Sequence, residues 1–251
     1  MRIAISQPTY LPWLGYFDLM AQVDLFVFLD SVQFEKRSWQ QRNRIKTPLG
    51  LQWLTVPVVF HRNSGQEIKD VEIQSIEFVR DHLRSIEHNY RRAKFFEGYF
   101  SRLGEILQSC HKEKRLAELS VRLIGWLGAE LAIHTPIMRS STLNLPGRRS
   151  ELLVNLCRSV GADSYVSPLG SAAYLMTDLE LFSGAGIEIT FQHYEHPVYC
   201  QLFPPFCPYA SVLDLLFNHG QESSEILFSG RRAAFMPYEA GCSAVAAGGV
   251  R

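Results

Sequence analysis

Cationic, amide and aromatic side chains crowd the first forty-six residues. From Lys36 to Lys46 the chain reads KRSWQQRNRIK: five cations, three amides and one indole in eleven positions. The nearby acids are Asp30 and Glu35. A guanidinium fork suits phosphate or carboxylate, and an ammonium adds a point charge. If Trp39–Lys46 is a strand, alternation puts Arg42, Arg44 and Lys46 on one face, and Trp39, Gln41, Asn43 and Ile45 on the other. This predicts an anion site drawing on Gln33, Lys36, Arg37, Trp39, Arg42, Asn43 and Lys46. The plainer alternative is an exposed polar hairpin.

A second cluster precedes it, Gln7-Pro-Thr-Tyr-Leu-Pro-Trp-Leu-Gly-Tyr16. Its two prolines reduce the entropy lost on ordering the loop. Gly15 permits close approach of a ligand or of backbone. Free backbone N–H groups near Pro12–Gly15, at a helix start, favour a phosphate or carboxylate. Gln7 can read an amide or hydroxyl, Trp13 and Tyr16 can stack on a ring, and Tyr10 lies in the same loop. The third cluster is Ser167-Pro-Leu-Gly170-Ser171, in which a strand ends and Ser171 can cap a helix. Asp30 and His193 are the candidate bases for an attacking amine or hydroxyl. His193 and His196 form an HxxH spacing with no third ligand in view, so no metal centre is expected. The chain carries no GxxxxGK[ST], GxSxG or HExxH pattern.

The elements that must hold these residues alternate. Arg2–Ser6 reads as a buried strand, Leu14–Val23 as a helix, and Asp24–Asp30 as a central parallel strand. Trp39–Ile45 and Leu51–Val58 flank TPLG and predict a β-hairpin. A period near 3.6 then predicts three helices, marked by Phe78–Tyr90, Phe100–Leu107 and Leu116–Leu127. Beyond them a strand at Ile137–Leu145, a helix at Ser150–Val160, a strand at Ser164–Ser167, a helix at Ser171–Phe182, a strand at Ile187–Tyr194 and a helix at Ser211–Asn218 are predicted. The expected class is α/β, a mostly parallel Rossmann-like sheet with a β-hairpin and a helical insertion at about 75–131. Residues 1–238 are read as one domain and 239–251 as a flexible tail.

Composition narrows the function. The 251 residues carry 25 Lys plus Arg against 25 Asp plus Glu, which argues against bulk capture of nucleic acid. No run nears the roughly 18–20 apolar residues of a membrane span, and no signal-peptide core is present. Five cysteines without a CxxC pair suggest neither a disulfide framework nor a zinc knuckle. The expected compartment is the cytoplasm and the expected partner a small molecule. The sequence sets no oligomeric state.

The strings ISQPTYLPWLGYFDLM, FLDSVQFEKRSWQQRNRIKTPLGLQWLTVPV, DSYVSPLGSAAYL and SVLDLLFNHG resemble the WbqC-like protein family over most of the chain. In the family, the serine matching Ser167 is often followed by Gly; here Pro168 follows. The resemblance implies a bacterial enzyme of surface-polysaccharide (O-antigen) biosynthesis that transfers an aminoacyl, glycyl-like, or acyl group to a nucleotide-linked or lipid-linked sugar. No cofactor is fixed; a nucleotide or an activated acyl donor is the implied co-substrate. A more distant similarity, to HIGH-type nucleotidyl transferases and adenylate-forming ligases, implies ATP-dependent activation of a carboxylate. Trp13 and Tyr16 stand where those enzymes carry histidines. A carbohydrate-binding or scaffold protein without turnover is the remaining alternative.

Overall fold

The computed structural model describes residues 1–61 and 65–239. In chain order the strands and α-helices are β1 (Arg2–Ser6), α1 (Leu14–Met20), β2 (Leu25–Phe28), β3 (Arg42–Thr47), β4 (Gly50–Thr55), β5 (Val58–Val59), β6 (Glu72–Ile73), α2 (Glu77–Tyr90), α3 (Phe96–Gln108), α4 (Leu116–Glu130), β7 (Ile137–Arg139), α5 (Ser150–Ser159), β8 (Ser164–Ser167), α6 (Ala172–Leu175), α7 (Leu179–Ser183), β9 (Glu188–Phe191), α8 (Val212–His219) and α9 (Ser223–Ser229). The expected α/β class holds. The tail expected at 239–251 lies, beyond Glu239, outside the described residues.

A five-stranded sheet runs β7-β2-β1-β8-β9, every neighbouring pair parallel. β1 is central and buried on both faces, hence its unbroken IAI. Ala4, Phe26, Phe28 and Val166 face one side, where they share an apolar cluster with α1–α4, α8 and α9. Ile3, Ile5, Val27, Tyr165, Ile189 and Phe191 face the other, against α5, α6 and α7. The period-2 alternation thus sorts one short strand between two cores.

Strands β3 and β4 pair from Arg42↔Thr55 to Thr47↔Gly50, joined through Pro48 and Leu49. Gly50 at φ +110° takes the left-handed backbone this turn requires. The expected strand at Trp39–Ile45 starts three residues later, because residues 38–41 are a turn closed by Gln41 N–H donating to Ser38 O. Its partner stops at Thr55, before Pro57, and Val58–Val59 pairs with β6 instead. The expected helix 171–182 is broken: Thr177 Oγ1 donates back to Tyr174 O, and α7 restarts at Leu179. Ser171 makes no capping hydrogen bond, whereas Ser211 caps α8 by accepting from Leu213 N–H. The strand expected at Ile137–Leu145 ends at Arg139, where the chain turns through Ser140–Thr142.

Candidate functional site

From β1 the chain passes through α1 to β2 on one side; β8 and β9 lie on the other. The loops leaving β1 and β8 therefore diverge, the topological switch point where open α/β sheets take ligands. A cleft opens there in two lobes of about 440 and 350 Å³, with Ser6, Thr9, Trp39 and Pro168 in the walls of both. Trp13, Gly15, Tyr16, Asn43, Arg44, Gln192 and Tyr209 complete most of the first lobe. Gln7, Glu35, Ser38, Gln40, Ser171 and Tyr174 supply the polar wall of the second.

The loop after β1 is held from three sides. Tyr10 N–H donates to Trp39 O (3.0 Å), Asn43 Nδ2 to Leu11 O (2.8 Å), and Val212 N–H to Pro12 O (2.9 Å). These bonds fix Leu11 at φ +47°, an unfavourable conformation for a branched side chain. Trp13 lies across Gly15: a Cβ there would sit 2.2 Å from the indole. Tyr194 and Tyr209 pack edge-on against the same indole.

Polar groups in the cleft are oriented by neighbours. Gln192 Nε2 donates to Gly15 O and to Asp18 Oδ2, both at 2.8 Å, which leaves its Oε1 as the acceptor for the cleft. Asp18 is fully buried and also accepts from Gln22 and from the Arg231 guanidinium (2.7 Å). Gln7 Oε1 accepts from Gln40 Nε2 (2.8 Å), so its own Nε2 remains a donor. The Tyr16 hydroxyl donates to Gln7 O, and burial pushes its pKa well up, keeping it a neutral donor. Thr9 Oγ1 is buried with no partner.

Among the described residues, Arg44 is the one cation in either wall and Glu35 the one carboxylate. Among the described residues Arg44 has no ion-pair partner and its buried Nε no hydrogen-bond partner, and burial lowers its pKa. The guanidinium carbon lies 5.4 Å from the Trp39 ring centre and 5.3 Å from that of Trp53. A buried donor left unpaired costs about 1–3 kcal/mol, more if charged. An anion entering the cleft meets a guanidinium whose charge no carboxylate among the described residues offsets.

Of the residues expected at the site, the structure gathers Gln7, Trp13, Gly15, Tyr16, Trp39, Asn43 and Ser171 in the cleft walls. Asn43 spends its amide on Leu11 O and Arg44 N–H, so it holds the loop. The space above Gly15 is filled by Trp13. The expected anion at the Pro12–Gly15 amides lacks its setting: α1 is seven residues long and buried along its length, and Tyr16 N–H already donates to Trp13 O. Tyr10 points away, its hydroxyl bonded to His82 Nδ1 in the core. Gln33, Lys36 and Arg37 lie exposed on the preceding loop, in neither wall. Arg42 sits outside the walls, above Trp53. Lys46 is 1% exposed, because the far end of β3 packs under α2 and α8; its Nζ is buried with no hydrogen-bond partner among the described residues, within electrostatic reach of Asp214 and outside both walls. Ser167 is fully buried and, with Gly170, absent from both walls.

Neither expected base has the geometry of one. Asp30 is fully buried, and its carboxylate accepts from Arg139 Nε (2.6 Å), Ser140 Oγ (3.1 Å), Ser141 N–H (2.9 Å) and Ser141 Oγ (2.8 Å). It ties the end of β2 to the turn after β7. His193 stacks on Phe235 and faces Glu195, outside both walls. Sequence reasoning passed over Arg44, Thr9, Gln192 and Tyr209 as site residues. For Gln192 the usable sign was its place near the end of the strand expected at Ile187–Tyr194, beside the histidine chosen instead. Among the described residues no group of three His, Cys, Asp or Glu is placed to hold a metal. No helix of the described residues is long and apolar enough to cross a membrane.

The sequence pattern of the WbqC-like protein family matches residues 7–226, from the loop after β1 into α9. The chain belongs to this family. A relative in Mycobacterium tuberculosis, uncharacterized protein Rv1507c, is 37% identical over 230 residues, which cover 90% of this chain and 97% of that one. No solved structure matches. The family match takes in the residues named in both walls of the cleft, apart from Ser6 at its N-terminal edge.

Proposed function

We propose that the cleft of this WbqC-like chain binds a phosphate-bearing sugar, nucleotide-linked or lipid-linked, and that the chain transfers an aminoacyl or acyl group to it in bacterial surface-polysaccharide assembly. One observation carries the binding half of this reading: an unpaired guanidinium, Arg44, set beside indoles in the wall of an aromatic cleft at the sheet's switch point. Aromatic faces with a few fixed amides suit a sugar ring, and a guanidinium suits its phosphate. The transfer half rests on the family resemblance.

Glu35 replaces Asp30 and His193 as the candidate base, being the carboxylate in the walls. As the acceptor's nitrogen or oxygen bonds to the acyl carbon, its proton passes to Glu35. The bond to the donor's leaving group breaks, and that group keeps the electron pair. Thr9 and Trp39, common to both lobes, mark where the two reactants would meet.

Thermal unfolding of the purified chain with UDP-N-acetylglucosamine tests the binding. A ligand at about 100 times its Kd adds roughly 2.7 kcal/mol of stability, and a rise in Tm is expected. In Arg44→Ala that rise should be lost with the fold intact. If no nucleotide sugar in a panel raises the wild-type Tm, the reading fails.

A further inference from the structure

The outer face of the β3–β4 hairpin carries a second, adjoining feature. Strand register sets Trp53 opposite Arg44, and Arg42 lies two residues away on the same face. The Arg42 guanidinium carbon is 4.1 Å from the Trp53 ring centre, and that of Arg44 is 5.3 Å from the same centre. Trp39 and Trp53 lie 5.2 Å apart and remain 46% and 41% exposed, an area of indole that the protein itself leaves uncovered.

Two guanidinium groups therefore lean on one indole. Among the described residues neither has an ion-pair partner, and Nε of each is buried without a hydrogen-bond partner. Cation–π attraction holds the groups in place without discharging them. Like charges so placed repel, and the acids of this hairpin region leave them unneutralised. An anion of two charges, taken by the remaining N–H groups of the two forks, removes that repulsion. Residues i and i+2 of a strand are about 6.6 Å apart, so each fork can serve its own phosphate group. Trp39 and Arg44 also belong to the first lobe of the cleft, so the face and the cleft are continuous.

We infer that this face is a diphosphate subsite. Arg42 and Arg44 hold the two phosphate groups against Trp53, the sugar enters the cleft, and the group beyond the diphosphate lies over the exposed indoles. The inference rests on the proposed reading of the cleft and names its substrate class as a diphosphate-linked sugar. Nucleoside and lipid carriers share that diphosphate.

Isothermal titration with inorganic pyrophosphate, inorganic phosphate and sulfate at matched ionic strength tests it. Pyrophosphate should bind roughly 10-fold or more tightly than either other anion. Arg42→Gln and Trp53→Leu should each weaken it by a similar factor while the far-ultraviolet spectrum and Tm stay close to wild type. Pyrophosphate binding no better than sulfate, or unaffected by Arg42→Gln, overturns the inference. Titrations with UDP-N-acetylglucosamine and with vesicles carrying a polyprenyl diphosphate separate the carriers: the source whose binding weakens in Arg42→Gln is the one held. If UDP-N-acetylglucosamine binding depends on Gln192 but not on Arg42, the cleft stands and the subsite falls. If pyrophosphate binding depends on Arg42 yet neither carrier adds affinity over pyrophosphate, the subsite stands and the reading of the cleft falls.

Discussion

Asp30 illustrates how little a residue's type says about its work. It sits one element away from the cleft, at a strand's carboxyl end, where a general base belongs. Its lone pairs are nevertheless committed to Arg139, Ser140 and Ser141, and Arg139 also reaches Glu118. A saturated buried carboxylate is an anchor. Removing one partner of a buried ion pair typically costs about 3–5 kcal/mol, because the other charge is left uncompensated. Asp30→Asn keeps the shape and some hydrogen bonds, so we expect a loss of about 3 kcal/mol in urea denaturation, with ligand affinity of the folded protein unchanged. A variant of wild-type stability that binds ligand but has lost turnover would instead make Asp30 the base. Lys46 is withdrawn in another way: its ammonium is buried with no hydrogen-bond partner among the described residues, within electrostatic reach of Asp214, whose carboxylate accepts from Tyr90, Tyr199 and Gln201. Burial raises the Asp214 pKa, and those hydrogen bonds and the lysine oppose the rise.

At the scale of elements, the cleft depends on a loop that secondary structure alone does not hold. Within the segment from Gln7 to Trp13, Asn43 is the side chain that clamps Leu11 O, and Leu11 is kept at positive φ by the bonds around it. Asn43→Ala leaves Leu11 O and Arg44 N–H without this partner inside the protein, which costs about 2 kcal/mol. Amide exchange at residues 9–11 and 13 should accelerate, while exchange in β1 and β8 stays slow; protection along the loop unchanged from wild type would show that the clamp is dispensable. The same dependence explains what was legible beforehand. The sheet strands and the three helices of 77–130 follow from apolar period and flanking turns, both local properties. So does the meeting of Gln7, Trp13 and Tyr16, since all three leave one strand end. Gln192 could not be placed, because its orientation is set by Gly15 and Asp18, 177 and 174 residues away. Tyr10 was misassigned because the sign of Leu11's φ turns the loop, and Lys46 because alternation ignores what later packs on a strand.

For the molecule as a whole, the parallel sheet places five strand ends along one edge, and the cores on its two faces set which loops can move. His82 lies where several of these parts meet. It belongs to α2, is 6% exposed, bonds the Tyr10 hydroxyl at 2.8 Å and packs edge-on against Phe78. Burial lowers its pKa from 6.5 to about 4. The folded state thus resists a proton that the unfolded chain accepts. Between pH 6.5 and 4 the unfolded state binds more protons, so stability rises with pH and falls on acidification through that window. One pKa unit corresponds to about 1.4 kcal/mol, so this histidine alone withdraws on the order of 2–3 kcal/mol by pH 4. His196, behind Trp13, is shifted the same way by burial. Asp214 acts oppositely, since a carboxyl whose pKa is raised on folding favours the folded state as pH falls. A single pH profile mixes these effects, but a variant separates them. His82→Gln can still bond Tyr10 and does not titrate. Urea denaturation at pH 7 and pH 4.5 should show wild type losing roughly 2 kcal/mol more than this variant over the interval. Equal losses would mean that His82 takes up its proton in the folded state as readily as in water, and that its contact with Tyr10 opens on acidification.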